Sequence, residues 1–177
     1  GDKIRSFNEI NYLSSFYDID LICLADDPDD LKHEKALGKI CRRVAVFPLN
    51  PLLAKVKGLF GLVKGRTISE TYFYQRKFQK TFDNWTTGTH YQAIICFSSP
   101  MAEYIFRSRN PGIQQSSPKL IMDFCDLDSQ KWHQYAEQSR LAPGMIYKTE
   151  SRRLLAYEKQ INQMFDHSVF VSQTEVD

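Results

Sequence analysis

Short apolar runs alternate with helical patterns along the whole sequence, and this alternation most constrains the fold. The apolar runs predict five strands, at residues 19–24, 43–49, 92–97, 119–124 and 168–171. Apolar side chains at helical spacing predict helices at residues 3–17, 69–85, 101–107, 129–139 and 147–165. Strands joined by helices predict an α/β fold with a Rossmann-like parallel sheet, whose ligands bind at the carboxyl ends of the strands.

Length and charge limit both the domain count and the class of partner. A chain of 177 residues with 42% hydrophobic side chains can bury one core, so we expect one domain over residues 1–177. The 23 Lys and Arg nearly balance the 21 Asp and Glu, for a net charge of +2. Because binding to a phosphate backbone needs a concentrated positive field, we expect no nucleic-acid partner.

The cysteines and histidines predict neither disulfides nor a metal site. The four cysteines show no CxxC spacing, and the four histidines are scattered along the chain. No apolar run approaches the roughly 20 residues of a membrane span, and the first residues lack the pattern of a signal peptide. We therefore expect a cytoplasmic protein without a bound metal.

Three local patterns predict helix boundaries. Acidic residues around Pro28 are typical of a helix start, although they could also suggest a cation site. Pro143 and Gly144 predict a break before the last long helix. Ser172 and Glu175 have the spacing of a capping box, which predicts that a further helix begins there.

Residues 52–63 combine large aliphatic side chains with an excess of basic residues. The basic residues in and after this segment are Lys55, Lys57, Lys64 and Arg66. Such segments bind readily to anionic membrane surfaces, which would place the protein peripherally at the inner membrane. Alternatively, a helix packs its apolar side chains on the sheet while its lysines extend to solvent, and three glycines weaken a rigid interfacial helix.

Two aspartates follow the predicted strand at residues 119–124. Asp126 and Asp128 should therefore stand at the carboxyl edge of the sheet, where ligands bind. Either aspartate, or Ser129, could instead cap the next helix. A cap and a binding role are compatible, so both interpretations remain open.

Three segments together resemble a known family of enzymes. They read GDKIRSFNEINYLSSFYDIDLICLA, DFCDLDSQKWHQYA and ESRRLLAYEKQINQMFDHSVFVSQTE, and they are distributed over nearly the entire chain. They resemble the N-terminal, acceptor-side domain of family 4 glycosyltransferases, and in particular the bacterial exopolysaccharide sugar transferases associated with PEP-CTERM sorting systems. The resemblance implies one half of a GT-B enzyme, with a first strand upstream of Gly1 and a donor-binding domain after this sequence.

The resemblance also implies an activity and roles for individual residues. A retaining, nucleotide-sugar-dependent glycosyltransferase would act in bacterial exopolysaccharide or lipid-linked glycan synthesis, with a glycan or lipid-linked acceptor and no cofactor. Without its donor-binding half, this chain alone should be inactive. Asp126 and Asp128 would orient hydroxyl groups at the reaction site. The substrate-binding candidates are Gly1 and Asp2 near the donor diphosphate, and Lys131 and Trp132 at the acceptor rim.

The sequence departs from the family pattern at two places. Many family members carry a histidine at the end of the corresponding strand, where this chain has Asp123, Cys125 and Asp126. Glu150 and Glu158 have the spacing of a family signature, but both belong to one predicted helix, whereas the signature belongs to the donor-binding domain. We therefore interpret this glutamate pair as scaffold, in which Glu150 can pair with Arg153 or with another charge next to Leu154 at helical spacing.

Two other functions compete with the GT-B interpretation. Asp126-Leu127-Asp128 is a DxD triplet after an apolar strand, as in metal-dependent GT-A transferases that hold a cation on the donor diphosphate. A Rossmann-type fold also occurs in non-catalytic binding modules, because the fold by itself implies no chemistry.

Overall fold

A computed structural model of the protein describes residues 2–110, 113, 118–140 and 142–172. Its strands are β1 (Asp20–Ala25), β2 (Arg43–Pro48), β3 (Ala93–Phe97), β4 (Lys119–Asp123) and β5 (His167–Val169). The helices before β3 are α1 (Asp2–Leu13), α2 (Glu34–Leu37), α3 (Pro51–Val63), α4 (Ile68–Phe73) and α5 (Arg76–Thr86). The later helices are α6 (Ala102–Arg107), α7 (Asp128–Gln138) and α8 (Ala142–Met164), with short 3₁₀ helices at Pro28–His33 and Ser99–Met101.

All strand pairings in the described residues are parallel, and helices flank the strands. β1 pairs with β2 from Asp20 opposite Arg43 to Ala25 opposite Pro48. β3, β4 and β5 form a second sheet with β4 in the middle. The predicted α/β class with five parallel strands is confirmed, and the architecture is compatible with a Rossmann-like domain. The strands form two sheets, however, because within the described residues β1 and β3 do not pair with each other or with a common strand.

The core packs α8 against the second sheet. Met122 and Phe124, at and just beyond the end of β4, contact Ile161 of α8, and all three are almost fully buried. The apolar residues at helical spacing within the predicted helix at residues 147–165 are buried at Leu154, Tyr157 and Ile161, whereas Met164 is exposed. Phe165 takes its place in the core because the chain turns there towards β5.

The helix predicted over residues 69–85 is two helices, α4 and α5. The chain is extended at Tyr74 and Gln75, between them. The hydroxyl of the buried Tyr104 accepts a hydrogen bond from Gln75 N at 2.9 Å and donates one to Phe73 O at 2.8 Å. A tertiary partner thus satisfies backbone groups that a continuous helix would have paired internally.

Two helix starts show how local chemistry sets boundaries. Asp27 Oδ1 accepts from Asp29 N at 2.9 Å ahead of Pro28, so the acidic turn caps a short 3₁₀ helix as predicted. The break predicted at Pro143 is wrong, since Pro143 lies in the first turn of α8. Proline is tolerated there because first-turn N–H groups lack helical partners. The predicted capping box of Ser172 and Glu175 extends outside the described residues.

Candidate functional site

The start of α1 lies at the carboxyl ends of both sheets. Lys3 Nζ is 2.6 Å from Asp30 and 3.5 Å from Asp26, two acids that follow β1. Two residues later, Arg5 donates to the carboxylate of Asp123, the last residue of β4. This edge of the molecule is where parallel α/β proteins bind their ligands.

Asp123 organises the turn after β4. Its carboxylate is almost fully buried; one oxygen accepts from Arg5 and the other from Cys125 N at 2.9 Å. Burial of the Arg5 guanidinium lowers its pKa, but the hydrogen bond to Asp123 and the nearby negative charges of Asp123 and Glu9 together outweigh burial, so the pKa of Arg5 is raised. This pair fixes α1 to the end of the second sheet.

Two residues at this edge adopt backbone conformations that favour glycine. Ser98, directly after β3, has φ of 71°, and Cys125, after β4, has φ of 60°. Such conformations cost side-chain-bearing residues on the order of 1 kcal/mol or more, and they cluster at functional sites. Ser98 N donates to Asp123 O at 2.7 Å, which joins the two turns.

The structure brings Asp126, Asp128 and Lys131 together. The Lys131 ammonium lies 2.8 Å from the Asp126 carboxylate and 4.0 Å from that of Asp128. The buried Ser99 donates its hydroxyl to Asp128 Oδ2 at 3.3 Å. The three charged side chains remain partly exposed to solvent. We call Asp126, Asp128 and Lys131 the strand-end cluster.

The expected capping role of Asp126, Asp128 or Ser129 is wrong, because the N-cap position of α7 is Leu127. Instead, Glu158 of α8 accepts a hydrogen bond from Ser129 N at 3.1 Å. Asp128 is the first residue of α7, where a carboxylate interacts favourably with the helix dipole.

The other substrate-binding candidates lie elsewhere or outside the described part. Trp132 packs in an aromatic group of α7 and α8, with ring centroids 6.1 Å from Tyr135 and 5.3 Å from Tyr147. Its ring therefore belongs to a helix–helix contact. Gly1 lies outside the described residues, and Asp2 begins α1.

Glu150 and Glu158 are both buried, and each supports the start of another helix. Glu150 accepts from Ile68 N at 2.6 Å and Ser69 N at 2.9 Å, at the start of α4. Burial raises the pKa of both carboxyl groups against the opposing effect of these hydrogen bonds. The predicted pairing of Glu150 with Arg153 is wrong, because Arg153 donates to the carbonyl oxygens at the end of α3.

Helix α3 packs through its small residues. Ala54, Gly58 and Gly61 are buried, and a Cβ at Gly61 would lie 2.2 Å from Thr71 Oγ1 of α4. The glycines therefore permit a close helix–helix approach. The large apolar side chains on the opposite face of α3 are exposed: Leu52, Leu53, Val56, Leu59, Phe60 and Val63.

The four basic membrane-surface candidates occupy two different environments. Lys55, Lys57 and Lys64 are exposed in and just after α3. Arg66 instead donates to Glu103 and lies 3.3 Å from Glu70, so its guanidinium is held by intramolecular ion pairs. Among the described helices, none is long and apolar enough to cross a bilayer.

Three residues of the site, Arg5, Ser98 and Ser99, were not predicted from the sequence. Arg5 falls within the helix predicted at residues 3–17, and Ser98 and Ser99 fall between the predicted strand at 92–97 and the predicted helix at 101–107, but none of the three was singled out. The triplet Ser98-Ser99-Pro100 after an apolar run was the available signal, because Ser before Pro often marks a strand-to-helix turn. The contact between Arg5 and Asp123 joins residues far apart in sequence, which no local pattern reveals.

Within the described ranges, no three His, Cys, Asp or Glu side chains are grouped as metal ligands would be. Comparison of the chain with protein-family models, curated proteins and solved structures found no match.

Proposed function

We propose that this domain is the acceptor-side half of a retaining, nucleotide-sugar-dependent glycosyltransferase of the GT-B type. The observation that carries the proposal is the strand-end cluster, which stands at the carboxyl edge of a parallel sheet. Its residues belong to the DLDSQKW segment, one of the segments that resemble family 4 enzymes. The pathway that we propose is bacterial exopolysaccharide or lipid-linked glycan synthesis.

The cluster has the chemistry to hold a sugar. Carboxylate oxygens of Asp126 and Asp128 can accept hydrogen bonds from sugar hydroxyl groups, and the Lys131 ammonium beside them can donate to a sugar oxygen. The turns at Ser98 and Cys125 stand at the same edge, and the hydrogen bond from Ser98 N to Asp123 O joins them. In this proposal the cluster orients acceptor or sugar hydroxyls, while the start of α1, with Gly1 and Asp2, faces the donor diphosphate.

Retention of configuration without a protein nucleophile implies a same-face substitution. The bond from the sugar to the diphosphate breaks as the acceptor oxygen attacks from the same face, and the proton of the acceptor hydroxyl passes to a phosphate oxygen of the departing nucleoside diphosphate. The departing nucleoside diphosphate takes the electron pair, and donors of the closed cleft stabilise its charge. In this reaction, the proposed role of the domain is to position the acceptor hydroxyl group.

The position of Lys131 weighs against a metal-dependent GT-A function. A cation held by Asp126 and Asp128 would have to compete with the Lys131 ammonium, which lies 2.8 Å from the Asp126 carboxylate and 4.0 Å from that of Asp128. A non-catalytic binding module would share the site but release no nucleotide. Turnover and chelator sensitivity therefore separate the three functions.

The product of the complete open reading frame should release nucleoside diphosphate from a panel of UDP- and GDP-sugars when a membrane fraction supplies acceptors. We expect this release to be unchanged by EDTA, and residues 1–177 alone to give none, because the donor-binding half is missing. Coupled detection of UDP and GDP measures the reaction. Turnover by residues 1–177 alone, or loss of activity with EDTA and recovery with Mn²⁺, would overturn the proposal.

The exposed face of α3 supports a peripheral membrane location. At about 100° per residue, Leu52, Val56, Leu59 and Val63 lie on one stripe. Lys55 and Lys57 flank this stripe on its two sides. An apolar stripe between lysines fits an anionic lipid surface, with the aliphatic side chains inserted and the ammonium groups near the headgroups. We therefore propose the inner membrane as the second partner.

Replacing Lys55, Lys57 and Lys64 by glutamine should weaken binding to vesicles containing phosphatidylglycerol by about tenfold at 0.15 M salt, because each lysine near such a surface contributes about 1 kcal/mol before screening. Sedimentation with vesicles measures the partition coefficient. The matched control replaces the three cations Arg76, Lys77 and Lys80 by glutamine, and all three are exposed on α5. Equal binding of the two variants would refute the membrane role of α3.

A further inference from the structure

The carboxyl group of Glu158 lies at the start of α7 in place of an ordinary helix cap. The N-cap position of α7 is Leu127, whose apolar side chain makes no capping hydrogen bond. Glu158 Oε1, from α8, instead accepts a hydrogen bond from Ser129 N at 3.1 Å. The first N–H groups of a helix have no partner within the helix, so this contact from another element satisfies one of them and holds the first turn of α7.

Glu158 differs from Glu150, the other buried glutamate of α8, in how completely its oxygens are paired. Both oxygens of Glu150 accept hydrogen bonds at the start of α4. Glu158 is only 4% exposed, yet its Oε2 has no hydrogen-bond partner among the described residues. A buried oxygen without a partner costs free energy, and such exceptions are found at functional sites. Stabilisation of α7 alone does not explain Glu158, since a polar N-cap residue would cap the helix without burying a carboxyl group.

The helix turn that Glu158 holds begins with Asp128, a member of the strand-end cluster. The Ser99 hydroxyl donates to Asp128 Oδ2 at 3.3 Å, and the Lys131 ammonium lies 4.0 Å from Asp128 Oδ1. Burial raises the pKa of Glu158, and the negative charge of Asp128 raises it further, so the two carboxyl groups lie close enough to interact. Because Asp128 and Ser129 are consecutive, a displacement of Ser129 N would move the Asp128 carboxylate relative to the edge of the sheet.

We propose that Glu158 is a positioning residue of the strand-end cluster, which holds the first turn of α7 so that the Asp128 carboxylate faces the acceptor hydroxyl. This inference rests on the proposed transferase function. Glu158 is too deeply buried to touch a substrate, so it acts through Asp128. Because the other half of the enzyme would hold the nucleotide sugar, Glu158 should influence the rate of the chemical step and leave donor binding unchanged.

Glu158→Met in the product of the complete open reading frame tests this inference. Methionine fills a similar space but cannot accept the hydrogen bond from Ser129 N, and an apolar side chain of similar volume often replaces a buried charge without loss of stability. With a membrane fraction supplying acceptors, we expect kcat for nucleoside diphosphate release to fall about tenfold to a hundredfold, because small misplacements of reacting groups have effects of this size. KM for the nucleotide sugar should stay within about twofold of wild type.

Two matched variants separate positioning from a loss of stability. Glu158→Gln keeps an oxygen that accepts from Ser129 N, so its kcat should lie within about threefold of wild type. Glu150→Met makes the same replacement in the same helix at a residue that supports α4, so we expect a lower Tm but a kcat within about twofold of wild type. Wild-type kcat in Glu158→Met, or equal losses in Glu158→Met and Glu150→Met, would overturn the inference and leave the transferase proposal standing. No release by the wild-type enzyme would overturn both.

A double-mutant cycle tests whether Glu158 acts through Asp128. In an enzyme that already carries Asp128→Asn, Glu158→Met should lower kcat by less than about threefold, because the group that it positions has already been changed. A further fall as large as that in the wild-type background would show that Glu158 acts independently and would overturn the inference. Glu158→Asp replaces Glu158→Met in this cycle where the methionine variant does not fold, since it keeps the charge but withdraws the oxygens from Ser129 N.

Discussion

Replacing Glu150 by alanine should lower the free energy of unfolding by about 3 to 5 kcal/mol. Both carboxylate oxygens accept hydrogen bonds at the start of α4, from Ile68 N, Ser69 N and the Ser69 hydroxyl. The alanine variant removes all three acceptor contacts and leaves a cavity where a fully buried side chain stood. Urea denaturation measures the loss as a lower midpoint with an unchanged slope.

Two further variants isolate the cause of this loss. Glu150→Gln keeps the shape and one oxygen acceptor, so we expect a loss of about 1 to 3 kcal/mol. Gln160→Ala changes an exposed residue of the same helix and should stay within about 0.5 kcal/mol of the wild type. If Glu150→Ala were as stable as Gln160→Ala, the support of α4 by α8 would be refuted.

The same glutamates show what a local pattern can reveal about this chain. Their helical spacing placed Glu150 and Glu158 correctly on one long helix, because spacing reflects the geometry of a single element. Their partners, Ser69 and Ser129, start two other helices and are distant in sequence. Sequence spacing cannot encode such contacts, so the scaffold role was predicted but its partners were not.

Strand positions were predictable, whereas strand pairing was not. All five strands lie within or close to their predicted apolar runs. Short runs of apolar, β-branched residues are typical of buried strands, so their positions can be predicted locally. Which strands pair depends on contacts between residues distant in sequence, and no single apolar run contains that information. The sequence consequently suggested one sheet where the described residues form two.

Helix α3 illustrates how the context of glycine changes its effect. From sequence, Gly58 and Gly61 were residues that weaken a helix. In the structure they permit contact with Ile68 and Thr71, and a Cβ at Gly58 would lie 2.7 Å from Ile68 Cγ2. Close packing through small residues also explains why the large apolar side chains of α3 face outward, an arrangement that the alternation of polar and apolar residues did not predict.

The candidate site was predicted in part, for a physical reason that applies to parallel sheets generally. Asp126, Asp128 and Lys131 follow one strand within a few residues, so their proximity could be expected from strand-end placement alone. Trp132 lies on the same helix but packs towards Tyr147, since neighbouring helix positions point in different directions. Arg5 comes from a distant helix and was missed.

We propose that the strand-end cluster orients a hydroxyl group during sugar transfer. Asp128→Asn keeps the shape of the side chain but removes the charge that strengthens its hydrogen bonds. Loss of roughly 1.5 to 3 kcal/mol of charge-assisted bonding should lower the rate of nucleotide release by the full-length enzyme about tenfold to a hundredfold. Because Asp128 only begins α7, Tm should fall by no more than about 4 °C.

The most direct measurement is therefore the rate of nucleoside diphosphate release by full-length Asp128→Asn, with Glu137→Gln as the matched control. Glu137 is exposed near the other end of the same helix, next to His133, so its replacement should leave the rate within about twofold of wild type. The account predicts a slow Asp128→Asn enzyme with nearly unchanged stability. Wild-type release by Asp128→Asn would contradict it and remove Asp128 from the site.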